Sequence, residues 1–119
     1  MIVTQPLVHC VVVLDKATPS FSAATLLVRV DDVSRADSAS ITVAEAWLKP
    51  LAHLSGAESV WQVSLYGALP EPRKLYSIWA HLDIDLDGKI SSGDYITTQS
   101  YPVLTFDHPR EVIVQLTRV

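Results

Sequence analysis

The sequence has one cysteine and four glycines among 119 residues. A single cysteine excludes an internal disulfide and leaves no thiolate cluster for zinc. The glycines, Gly56, Gly67, Gly88 and Gly93, form neither a phosphate-cradling loop nor a Gly-x-Ser-x-Gly elbow. Basic residues are also few. Nine Lys and Arg face thirteen Asp and Glu, for a formal net charge of -4 at pH 7. A nucleic-acid footprint is basic, so DNA and RNA are excluded as expected partners. No apolar run approaches the roughly 18 residues of a spanning helix, so no membrane span is expected.

What is present is a core. Hydrophobic residues make up 49% and charged residues 18%, a balance unlike that of disordered chains. The length fits a single domain over residues 1–119. Such a domain buries roughly 65% of its unfolded surface and needs no metal to fold.

The N-terminus carries no signal peptide by this reading. Leu7 to Leu14 is apolar, but no basic region precedes it and no small-residue cleavage site follows. Leu7-Val8-His9-Cys10 has the outline of a lipobox, and His9 breaks it. Cys10 is expected to be a core thiol in a buried strand. Two compartments stay open: the cytoplasm, or the envelope for a mature form without its export signal.

The hydrophobic pattern is β throughout. Val8–Leu14 is a continuous apolar run, as in a strand buried on both faces. Ala24–Val30 is a second strand, ended by Asp31-Asp32. Ile41–Leu48 alternates moderately, and a helix competes over Ile41–Leu54, weakened by Pro50. Val60–Tyr66 alternates well, and 67–73 reads as a loop. Lys74–Leu86 is the most regular stretch. Tyr76, Ile78, Ala80, Leu82, Ile84 and Leu86 point one way; Leu75, Ser77, Trp79, His81, Asp83, Asp85 and Asp87 point the other. Ile96–Thr98 and Tyr101–Leu104 are short pieces, and Glu111–Val119 alternates again. The fold class is all-β: an antiparallel β-sandwich of about seven or eight strands.

One segment has a specific chemical reading. Asp83-Ile84-Asp85-Leu86-Asp87-Gly88-Lys89-Ile90-Ser91-Ser92-Gly93-Asp94 follows the spacing of an EF-hand calcium loop. Asp83, Asp85, Asp87 and Asp94 would be side-chain ligands, and Lys89 would offer its carbonyl. Gly88 would make the sharp turn, and Ser91 would hold a water. Ca2+ takes six to eight oxygens, which alternate aspartates folded round one point can supply. Position twelve is Asp rather than Glu, Leu86 is bulky at position four, and a strand rather than a helix precedes the loop. This is therefore an EF-like loop on a β scaffold, or an acidic hairpin turn with solvated aspartates.

Catalytic constellations are missing. His9, His53, His81 and His108 are scattered. His81 is expected to be an exposed neighbour of Asp83. A hydrolase reading would require His81 paired with a carboxylate in a deep cleft. Cys10 lacks a cationic neighbour to lower its pKa. The chain reads as non-enzymatic. Trp79 and Leu75 are expected to pack in the core, or else to form an exposed patch for a partner.

Three motifs carry a resemblance. Val30-Asp31-Asp32-Val33-Ser34-Arg35-Ala36-Asp37 follows an early strand, Leu75-Tyr76-Ser77-Ile78-Trp79-Ala80 is a late tyrosine-containing strand, and Tyr101-Pro102-Val103-Leu104-Thr105 precedes Val112-Ile113-Val114-Gln115-Leu116. In this order they resemble the YscW/YbaY-like envelope lipoproteins, loosely from 26 to 116. The resemblance implies a compact β-sandwich and a non-catalytic role. The best-known members are pilotins, lipoprotein chaperones that escort secretin subunits of type III secretion. It also implies a protein partner and a periplasmic or envelope location. The acidic loop departs from the shorter turn expected in pilotins. Two functions are expected and are compatible: a polypeptide-binding assembly module, bound through an apolar groove or free sheet edge, and a calcium-binding β domain.

Overall fold

Alternate burial builds the two layers of this chain, seen in a computed structural model that describes residues 4–35 and 39–119. Strand β1 (Gln5–Leu14) sends Val8, Cys10, Val12 and Leu14 inward. It is the middle strand of a three-stranded sheet, flanked by β4 (Ser59–Gly67) and β8 (Glu111–Gln115). The second sheet runs β3 (Ile41–His53), β2 (Phe21–Asp32), β5 (Tyr76–Asp83), β6 (Tyr95–Ile96), β9 (Thr117–Arg118). The short β7 (Pro102–Val103) also pairs with β5. Leu26, Val28 and Val30 of β2 and Ile78, Ala80 and Leu82 of β5 supply the facing apolar layer. Nine strands thus form an all-β sandwich among the described residues, with no helix there. Ala36 and Asp37 of the first family-like motif lie outside those residues.

Four sequence expectations change. Val8–Leu14 buries one face only; Val11 and Val13 are half-buried on the outer face. The helical alternative for Ile41–Leu54 is not realised. That segment is an edge strand, where Pro50 is tolerated because a free edge does not require its N–H. Glu111–Val119 divides into β8 and β9, which join different sheets and raise the strand count to nine. Finally, β1 and β8 pair in parallel, the remaining pairs being antiparallel. Parallel neighbours need a long crossover, and here most of the chain intervenes.

Candidate functional site

The regular strand from Lys74 ends at Asp83, three residues earlier than its alternation suggests. The cause is local. Asp83 Oδ1 accepts the Leu86 N–H at 2.9 Å, and Oδ2 accepts the Gly88 N–H at 2.9 Å. These bonds turn the backbone in a way that needs left-handed residues, and Leu86 and Gly88 have φ of 61° and 75°. The turn continues with Asp85 Oδ1 accepting from the Asp87 N–H and Asp87 Oδ1 from the Lys89 N–H. Lys89 is exposed and joins the loop through that amide.

Asp94 closes the loop. It is fully buried, and its carboxylate accepts from the Ile84 N–H at 2.9 Å, the Ser91 N–H at 3.2 Å and His81 Nε2 at 2.8 Å. Ser91 donates its hydroxyl to Asp85 Oδ2 at 2.8 Å. One carboxylate oxygen from each of Asp83, Asp85, Asp87 and Asp94 then lies within 4.8 Å of the others. The four aspartates singled out by spacing are therefore brought together. Burial, followed by contacts with Asp85 and Asp94, pushes the Asp83 carboxyl above its ordinary value, against the pull of its backbone donors. The Ser91 hydroxyl, then the neighbouring aspartates, holds Asp85 below its own. Crowded carboxylates split their affinities for protons in this way. Chemically, the cluster offers converging hard oxygens.

His81 is the residue that sequence reasoning misplaced. It is buried, not exposed. Its outer-face position on β5 lies in register between Leu27 of β2 and Ile96 of β6. Its Nε2–H meets Asp94. His81 and Asp94 are 6% and 1% exposed, so the pair lies under the surface and holds the loop against the sheet. The remaining strand-end histidine, His53, is similarly tied, to Ser59 Oγ and the Thr18 carbonyl.

Two concave regions lie near the far end of β2. The first, about 380 Å³, is lined by Leu7, Val43, Leu69, Pro70, Tyr76 and Leu104, with Asp32, Glu71 and Lys74 among its charged residues. It shares Leu69, Pro70 and Leu104 with a neighbour of about 440 Å³ that includes Phe106 and Arg110. Leu69 is 75% and Phe106 59% exposed. Leu104, Phe106 and Asp107 all have left-handed φ, at roughly 1–2 kcal/mol for each such residue. The second region is a concavity of about 540 Å³ on the outer face of the larger sheet. There Trp79 is half-buried and covered by the Arg29 guanidinium, 3.9 Å from its ring centroid. Trp79 thus packs on an arginine on the outer face, and Leu75 is exposed.

No family model matches this sequence, and no curated protein matches it either. A solved structure is similar: an alternative pilotin from the type II secretion system of Vibrio cholerae. The two share 22% sequence identity over 98% of each chain, with a TM-score of 0.77. At that identity the likeness shows the fold, which is pilotin-like.

Proposed function

We propose that this domain is a non-enzymatic assembly module of the cell envelope that holds a polypeptide partner, as pilotins hold secretin subunits. The observation that carries this reading is the end-to-end likeness to the alternative pilotin. The groove around Leu69 and Phe106 supports it. Exposed apolar side chains beside a strained loop are suited to taking a partner's apolar residues. The YscW/YbaY-like motifs point the same way. Titrating purified secretin subunits of the same genome into the domain tests this by calorimetry. Binding at micromolar concentrations, weakened at least tenfold by Leu69→Glu, is expected. No heat with any of these subunits would overturn the reading.

A second reading is compatible with the first: the loop 83–94 binds Ca2+. It is favoured by the convergence of Asp83, Asp85, Asp87 and Asp94. A cation would offset the burial, and then the repulsion from Asp94, that raise Asp83. Lys89 would contribute its carbonyl and Ser91 a bound water. Thermal unfolding in excess calcium and in EDTA reads this directly. At about 100 times the dissociation constant, a ligand of the folded state adds about 2.7 kcal/mol, a shift of several degrees. The shift should vanish in the double variant Asp83→Ala, Asp85→Ala. Identical melting in calcium and EDTA would reduce the loop to an acidic turn.

A further inference from the structure

Arg29 lies mid-way along β2, between Glu45 of β3 and Trp79 of β5 in register. Two contacts fix its side chain. Its Nε–H donates to Asp31 Oδ2 at 3.0 Å, and its guanidinium stacks over the Trp79 ring. Asp31 is itself buried and accepts also from the hydroxyls of Ser40 and Thr42 at 3.3 and 3.1 Å. Its charge is thus shared among three donors and orients the arginine without using its fork. Among the described residues, neither Nη nitrogen of Arg29 makes a hydrogen bond. The guanidinium stays partly exposed, with 29% of its side chain accessible.

The surroundings fit a ligand with one acidic group. Arg29 and Trp79 line the concavity of about 540 Å³ together with Ser40, Gln99 and Ser100, and Val33 adds an apolar wall. Ile41 and Leu75 are exposed apolar residues beside the same β2 terminus. A planar fork with free donors pairs in two-point fashion with a carboxylate, and holding it rigid lowers the entropy lost on pairing. We infer that this outer-face groove binds a carboxylate carried by an apolar peptide segment, through the Nη donors of Arg29 held by Asp31 and Trp79. The inference rests on the polypeptide-binding reading and gives it a second contact point. Asp31 faces this groove and Asp32, the next residue, lines the one that includes Leu69.

Three short capped peptides test it: acetyl-Val-Leu-Val-Leu with a free carboxylate, the same peptide as its amide, and the amide with Glu replacing the last Leu. The readout is the Trp79 indole N–H resonance, assigned with a Trp79→Phe variant. The free acid should move that resonance, and the all-apolar amide should not. Response to the Glu amide places the carboxylate on a side chain; response to the free acid alone places it at a chain terminus. Arg29→Gln should weaken binding about tenfold or more, as loss of a charged pair does. Arg29→Lys keeps the charge but loses the fork, and should weaken it as well. Unchanged melting of either variant shows that the fold survives. Equal binding of acid and amide, or unchanged affinity in both Arg29 variants, overturns the inference while leaving the polypeptide reading standing. Absence of any shift up to about 1 mM, an affinity of only about 4 kcal/mol, also overturns it.

Discussion

At Gly67, the last residue of β4, an added Cβ would lie 2.9 Å from Leu7 Cδ1 and 3.3 Å from the Val43 carbonyl oxygen. The flexible end of Leu7 can move aside, but the Val43 carbonyl of β3 would also have to give by a few tenths of an ångström, so the corner is tight round this glycine. Gly67→Ala should cost about 1–3 kcal/mol, the usual penalty for overpacking, read as a lower denaturant midpoint. An unchanged midpoint would mean the strands part freely at this corner. Cys10 is a second single-residue test. Burial pushes its thiol up to about 12, so it is protonated at mildly alkaline pH. It should resist a thiol reagent in the folded protein and react at once in denaturant; fast labelling of the folded chain would contradict that burial. Asp83 gives the pH test. A carboxyl raised by folding favours the fold below its unfolded pKa, and that stability is lost as pH rises through the folded pKa. Without calcium, Asp83→Asn should therefore gain on the wild type as pH rises from acid to neutral. Parallel melting curves for the two across that range would show that Asp83 titrates normally.

Among the elements, β5 shows most clearly what the sequence could and could not reveal. Its alternation from Tyr76 to Asp83 was legible because one face meets the core and the other does not. Leu82 is fully buried on that core face, and Leu82→Ala should cost about 2–5 kcal/mol in an unfolding titration. Alternation could not show where β5 stops, because the strand is ended by side-chain bonds from Asp83 to Leu86 and Gly88. Nor could it show that His81 is buried. Of the strands that flank it, β2 lies far upstream and β6 follows the loop, and its partner Asp94 closes that loop thirteen residues on. The spacing of the aspartates was readable because a loop of fixed length folds them round one point. The Arg29–Trp79 pair was not, since it depends on the register of β2 against β5. Strand β3 was ambiguous for a related reason. An edge strand tolerates Pro50 and carries a weaker alternation than a central one.

At the scale of the whole molecule, the sandwich follows from patterning, while the split of the last segment between sheets required the folded chain. That split places β8 beside β1 and β9 beside β6, so the C-terminal segment ties the two layers together. The resulting frame, similar to an alternative pilotin along its whole length, presents a groove of mixed polarity at the Leu69–Phe106 end and an arginine-bearing groove on an adjacent face. The proposed assembly role concerns where a partner ends up, and that is the quantity to measure. In cells lacking this domain, the share of the cognate secretin recovered in the outer membrane should fall several-fold, and it should return when the wild-type domain is supplied but not when Leu69→Glu, Phe106→Glu is. An unchanged outer-membrane share in cells lacking the domain would contradict the account.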